Sequence, residues 1–115
     1  MIKSAIFIVL SALPLLSSAS PTGIDYPVNK NQIIVEDHFI GSDEPRVIDA
    51  LWTDKHVFKV AMASDGSNRD GYAQYVCQVL YKHGYKGEGV LVRVVDYPRL
   101  VKTGDWVNMG TAQCK

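Results

Sequence analysis

The strongest constraint on this chain is its pair of cysteines, Cys77 and Cys114, which lie 37 positions apart and are the only two in 115 residues. An even cysteine count in a short exported chain predicts a disulfide, whereas a reducing cytosol leaves such residues as buried thiols. A bridge over this separation stabilises a fold by about 4 kcal/mol on the chain-entropy model. Two thiols without a clustered histidine do not form a tetrahedral zinc site, so neither a metal nor another cofactor is expected.

The amino terminus predicts the compartment. Met1-Ile2-Lys3 gives a short positive start, an apolar run follows from Ala5 to Leu16, and Ser17-Ser18-Ala19 supplies the small residues that a signal peptidase requires. The run is shorter than the roughly 20 residues of a membrane-spanning helix. We therefore expect a signal peptide over residues 1–19, cleavage before Ser20, and an exported protein, extracellular or periplasmic, that leaves the membrane after cleavage.

Size and charge limit the classes of function. Removal of 19 of the 115 residues leaves 96, enough for one small domain with a single core. Residues 20–70 carry nine acidic and five basic side chains, and residues 71–115 carry three acidic and six basic ones. The basic half is either an ordinary solvated surface or a face that meets an anionic partner. The cations of that face are Lys82, Lys86, Arg93, Arg99 and Lys102.

The first half of the mature chain combines weak and clear patterns. Residues 20–31 contain two prolines and a glycine and predict an extended lead-in. Residues 32–40 contain the β-branched run Ile33-Ile34-Val35, which is compatible with a strand or a short helix, and the strand is favoured. Residues 46–52 and 57–63 are apolar-rich runs separated by four polar residues, the pattern of a β-hairpin.

The second half predicts a crossover connection. Apolar residues recur at helical spacing from Tyr72 to His83, and Gly84 follows as a left-handed cap. The run from Val90 to Asp96 is strongly β-prone and nearly continuous in its apolar character, which is typical of a central strand. Strand, helix and strand in this order favour two parallel strands. A last strand is predicted at residues 106–109.

These elements predict an α+β fold. The expected architecture is a two-layer sandwich, in which one main helix packs across a mixed sheet of four to five strands in the order β-hairpin, helix, strand, strand. In this arrangement the carboxyl terminus returns to the helix, where Cys114 meets Cys77. The single disulfide-bonded domain is expected to span residues 32–115.

Tyrosines and cations supply the candidate binding residues. Tyr75 and Tyr81 lie outside the apolar stripe of the predicted helix, so one or both are expected to face solvent, although core packing is the ordinary role of such residues. Tyrosine and arginine are typical of protein-recognition surfaces. The candidate binding residues are Tyr75, Tyr81, Lys82, Lys86, Arg93 and Arg99.

A short resemblance supplies the enzymatic alternative. Tyr81-Lys82-His83-Gly84-Tyr85, with Glu88-Gly89 and Asp96-Tyr97-Pro98, resembles the active-site strands of small secreted guanyl-specific ribonucleases over less than a fifth of the chain. The resemblance implies that His83 and Asp96 form the acid–base pair of a small secreted hydrolase. No histidine follows His83 in the sequence, and the segment around it is predicted as helix rather than strand.

The remaining motifs favour a protein without catalytic activity. The sequence contains no nucleophile elbow, no His-x-x-x-His pair and no Cys-x-x-Cys pair. Small size, a cross-link and mixed charges favour a non-enzymatic exported binding protein, a class that includes inhibitors, immunity-type and effector-type proteins, and accessories of the cell envelope. Its expected partner is another protein with an acidic surface. Nucleic acid is not expected, since the overall charge is balanced.

Overall fold

The computed structural model describes residues 26–41 and 44–115, so the expected signal peptide lies outside the described residues. Three helices and four strands occur in these ranges: α1 (Lys30–Ile40), β1 (Val47–Asp54), β2 (Val57–Met62), α2 (Asp70–Lys82), β3 (Leu91–Asp96), α3 (Tyr97–Thr103) and β4 (Asn108–Gln113). The strands form one sheet in the order β1-β2-β3-β4. The predicted α+β class is confirmed.

The sheet is mixed because one of its three connections is a crossover. β1 and β2 pair antiparallel as a hairpin, and β3 and β4 also pair antiparallel. β2 and β3 are parallel, and α2 connects them. Parallel neighbours require such a connection, since a tight turn reverses the direction of the chain. The predicted hairpin and crossover are therefore confirmed.

The core lies between the sheet and the helices α1 and α2. Because side chains alternate along a strand, Phe58 and Val60 on β2 share one face with Val92 and Val94 on β3, and all four are fully buried. The stripe of α2 that meets this face is also buried, and it consists of Ala73, Val76, Cys77, Val79 and Leu80. The helix then ends as predicted, with Gly84 at a φ of 94°.

Residues 32–40 form a helix, so the favoured strand prediction is wrong. α1 is capped by Asn29, whose Oδ1 accepts a hydrogen bond from the Gln32 N–H at 2.8 Å, while the Gln32 Oε1 accepts one from the Asn29 N–H at 3.0 Å. This reciprocal capping box stabilises the first turn and offsets the modest helix propensity of the β-branched run that follows. Val35 and Phe39 are fully buried, whereas Ile33 and Ile34 are exposed.

The amino-terminal lead-in is shorter than predicted. Lys30 and Asn31 belong to α1 rather than to an extended segment over residues 20–31. Tyr26 and Val28, which precede the helix, are partly buried and pack against the core. The described end of the lead-in therefore contributes to the packing of the domain.

The chain after β3 differs from the prediction in two places. α3 is an additional helix: the Asp96 Oδ1 accepts a hydrogen bond from the Arg99 N–H at its start, and Gly104 ends it at a φ of 81°. β4 covers Asn108–Gln113 rather than residues 106–109. Glycine, alanine and glutamine favour strands weakly, so pairing with β3 rather than local propensity defines this strand.

Candidate functional site

A groove of about 640 Å³ runs between α2 and the outer edge of β4. Polar side chains spaced along one side of the helix form one wall, and the end of β4 with the residues after it forms the other. The residues that line the groove include Gln74, Gln78, Tyr81, Lys86, Thr111, Gln113 and Lys115. The groove is therefore bordered by an edge strand, where backbone groups are available as well as side chains.

The register of β4 determines which of its backbone groups face the groove. The Cys114 N–H donates to the Val90 carbonyl at 2.8 Å, so Cys114 and, by alternation, Ala112 direct their backbone groups toward β3. The N–H and C=O groups of Thr111 and Gln113 therefore point away from the sheet, toward the space beside α2.

The start of α2 covers one half of this edge. The Arg69 N–H donates to the Met109 carbonyl at 2.8 Å, and the Asp70 carboxylate accepts the Thr111 N–H at 2.9 Å. Among residues 26–41 and 44–115, no group hydrogen-bonds to the Thr111 carbonyl or to the Gln113 N–H. The second half of the edge is open, and an open edge is a template for pairing with another chain.

Gly110 sets the boundary between the covered and the open half. A Cβ atom at this position would lie 2.2 Å from the Arg69 carbonyl carbon, which is too close for any side chain. The absence of a side chain therefore allows the backbone before α2 to lie directly against β4.

The other end of the groove is held by a covalent bond. A disulfide joins Cys77 on α2 to Cys114 after β4, with the two Cα atoms 5.4 Å apart, so the predicted bridge is confirmed. The Tyr81 hydroxyl accepts a hydrogen bond from the Lys115 N–H at 2.6 Å. The Lys86 ammonium lies 5.6 Å from the centre of the Tyr81 ring, within the range of a cation–π interaction. The walls meet at an end lined by two lysines.

The structure places two of the six predicted binding residues in the groove, Tyr81 and Lys86. Lys82 is exposed at the last residue of α2 and does not line the groove. Arg93 lies on the sheet face opposite the helices, and Arg99 lies on α3 beside a pocket of about 230 Å³. The basic face predicted from the sequence is thus divided among separate parts of the surface.

Tyr75 lies on another side of α2 and is 43% exposed. The hydroxyls of Tyr75 and Tyr72 both donate to the Glu44 carboxylate, which also lies 3.5 Å from the His38 Nε2. Burial, followed by the hydrogen bond to Glu44, raises the pKa of Tyr72, so its hydroxyl remains a donor at neutral pH. These four side chains join the end of α1 to the start of α2.

The acid–base pair that the ribonuclease resemblance implies is not brought together. His83 follows α2, and its carbonyl accepts a hydrogen bond from Asn31 at the start of α1. Asp96 ends β3 and caps α3. Because α2 returns the chain to the amino end of β3, the two residues lie at opposite ends of a strand about 17 Å long.

Two other classes of site are absent from the described ranges. Over residues 26–41 and 44–115, no helix is long and apolar enough to cross a bilayer, and no cluster of three histidine, cysteine, aspartate or glutamate residues could hold a metal ion. No protein-family model, curated protein or solved structure matches the chain.

Sequence reasoning misses the strand side of the groove. Residues 108–113 lack the apolar alternation that predicts a strand and contain a single β-branched residue, Thr111, so the local signal for this strand is weak. The helix side does carry one. Gln74, Gln78 and Tyr81 follow the spacing i, i+4, i+7 and form a continuous strip along one side of the predicted helix.

Proposed function

We propose that this chain is an exported, non-enzymatic binding protein that holds an extended segment of a partner protein along the open half of β4. The observation that carries the proposal is that the Thr111 carbonyl and the Gln113 N–H, in the wall of the groove, have no hydrogen-bond partner in the part of the chain that the structure describes. A segment bound to these two groups adds a fifth strand to the sheet, a common mode of peptide recognition.

The groove supports selectivity as well as pairing. In strand addition, main-chain hydrogen bonds give affinity, and pockets for alternate side chains give selectivity. Alternate side chains of the added strand point to opposite faces of the sheet. One set meets Gln78 and Tyr81 in the groove, and the other lies beside the Thr111 and Gln113 side chains.

The charged residues along the groove favour an acidic residue near one end of the bound segment. Lys86 and Lys115 line the groove where its walls meet, and Asp70 borders the covered half of the edge. An acidic side chain is favoured next to the lysines and disfavoured next to Asp70, which fixes the direction of the bound segment. This charge pattern supports the acidic partner expected from the sequence.

The disulfide supports the exported part of the proposal. Disulfides persist in oxidising compartments and are rare in a reducing cytosol. The signal peptide expected at residues 1–19 remains a prediction. It is tested by sequencing the amino terminus of the exported protein, which is expected to begin at Ser20.

A matched pair of substitutions at Gln113 tests whether a bound segment hydrogen-bonds to the edge of β4. Gln113→Pro removes the outward N–H and leaves the hydrogen bonds to β3 intact, whereas Gln113→Ala keeps that N–H. Both variants lose the hydrogen bond from the Gln113 side chain to the Gly89 carbonyl. Peptides selected from a random display library against the mature protein should bind Gln113→Pro about tenfold more weakly than Gln113→Ala.

Two results would contradict the proposal. One is equal affinity of the selected peptides for the two variants, which would show that the Gln113 N–H takes no part in binding. The other is a library that yields no peptide above background. Equal thermal midpoints of Gln113→Pro and Gln113→Ala serve as the folding control, because an edge strand tolerates proline where its N–H faces outward.

A further inference from the structure

A second surface, on the sheet face opposite α1 and α2, holds two cations side by side. Lys59 of β2 and Arg93 of β3 are direct partners in the parallel register, and neighbouring strands lie about 4.8 Å apart. The residues adjacent in sequence, Phe58 and Val92, face the core, so the two cations point to the other side. Both cations are half-buried.

Neither cation has an acidic partner among the described residues. The ion pairs found within residues 26–41 and 44–115 are His38–Glu44 and Arg69–Asp65. Burial, followed by the charge of Arg93, lowers the pKa of Lys59. Like charges directly opposite one another on neighbouring strands destabilise a sheet. An anion bound between the two cations would remove this repulsion.

Trp106 lies beside Lys59. It belongs to the loop between α3 and β4, and its ring lies 4.3 Å from the Lys59 ammonium. Ala61 and Val95, two residues further along the same face, are 2% and 0% exposed and do not belong to the main core. This end of the face is therefore covered, and access to the cations is from the opposite end.

Aliphatic side chains border the cations on the accessible side. Val57 and Leu91 are partners in the register, two residues before the cations and on the same face. Leu51 of β1 is the partner of Lys59 on its other side. These three side chains are half-buried. Arginine and tryptophan surrounded by aliphatic side chains are typical of protein-binding surfaces.

We infer that Lys59 and Arg93 bind a carboxylate group of a partner protein, whose aliphatic surface covers the border around them. A guanidinium forms two parallel hydrogen bonds with a carboxylate, and the ammonium adds a point charge beside it. A nucleic acid is matched less well, because the chain has no net charge and this surface offers one aromatic ring instead of a stacking series. This surface lies on the other side of the sheet from α2 and adjoins the groove at Thr111, the β4 partner of Arg93, and the inference does not depend on the proposed function.

Two designed peptides test the inference. One alternates leucine with glutamate and the other alternates leucine with glutamine, so they differ in charge alone. The glutamate peptide should bind the mature protein about tenfold more tightly and should shift the indole N–H resonance of Trp106 in proton–nitrogen spectra. Lys59→Gln and Arg93→Gln should each abolish this preference. Lys55→Gln and Arg46→Gln, at exposed positions, are the matched controls and should keep it.

Three results would overturn the inference. The first is equal affinity of the wild-type protein for the two peptides. The second is a preference for the glutamate peptide that survives in the double variant with Lys59→Gln and Arg93→Gln. The third is tighter binding of a thymidine oligonucleotide of equal length, which would assign the surface to nucleic acid. The Trp106 resonance also reports folding, since a variant that unfolds loses its dispersed signal.

Discussion

The two edges of the sheet differ in how their backbone groups are satisfied. At β1, the Trp52 N–H donates to the Glu36 carboxylate at 3.0 Å and the Ala50 N–H donates to the Asp49 carboxylate at 2.8 Å, so side chains satisfy these two outward N–H groups. At β4, the residues before α2 cover one half and leave the other half open. An unpaired edge is an aggregation hazard that proteins usually block. The two edges therefore differ: side chains satisfy outward N–H groups of β1, whereas half of the β4 edge is open.

Removal of the disulfide should have the largest effect, because the bridge joins the two walls beside the open half-edge. Cys77→Ala combined with Cys114→Ala should lower the free energy of unfolding by about 4 kcal/mol, the loop-entropy contribution for this separation. Urea unfolding of the mature protein measures this loss. A wild-type midpoint that is insensitive to reductant would contradict the expectation.

Substitution of Gly110 should disrupt the covered half of the β4 edge. Gly110→Ala forces the Arg69 backbone away from β4 and should lower the free energy of unfolding by about 3 kcal/mol, as in an overpacked core. Gly71→Ala is the control, because a Cβ there meets open space within α2, and it should stabilise the protein by up to about 1 kcal/mol. Thermal or urea unfolding that gave both variants the same sign would refute the prediction.

Removing the side-chain acceptor at the β1 edge should have an intermediate effect. Glu36→Ala leaves the buried Trp52 N–H without its acceptor and should lower the free energy of unfolding by about 2 kcal/mol. Glu36→Gln retains an acceptor and should stay within about 0.5 kcal/mol of the wild type. Light scattering adds a second measurement, since the alanine variant should associate more readily. Equal stability of the two variants would show that the acceptor at Glu36 is unimportant.

The pH dependence of the stability contributed by Glu36, at the β1 edge, should be the smallest effect. Burial raises the pKa of Glu36, partly offset by the hydrogen bond from the Trp52 N–H. Because the folded state then holds the proton more tightly than the unfolded state, the contribution of Glu36 to stability falls as pH rises above its ordinary pKa of 4.5. The half-exposed position limits the change to a few tenths of a kcal/mol. Chemical unfolding across this pH range should show a decline in the wild type relative to Glu36→Gln, and parallel curves would contradict it.

Local pattern predicts the centre of this fold better than its edges. α2, β2 and β3 are predictable because each buries one continuous apolar face. The helical pattern of α1 is difficult to recognise, because three strongly apolar residues on it are exposed: Ile33, Ile34 and Ile40. The pair Asn29 and Gln32, spaced as a capping box, is the sequence signal that favours the helix there.

The candidate sites depend on tertiary contacts that local pattern does not contain. The cysteine pair is predictable from the compartment, and Tyr81 and Lys86 from their residue types. The open edge of β4 depends on where the start of α2 lies against that strand. The Lys59 and Arg93 pair depends on the register of two parallel strands that are distant in the sequence.

The bridge between Cys77 and Cys114 also fixes the aperture of the groove. Since the two cysteines belong to opposite walls, the covalent bond limits how far the walls can move apart at that end. A preorganised receptor loses little conformational entropy on complex formation. For the partner segment proposed above, we therefore expect affinity to depend mainly on the stiffness and shape of that segment.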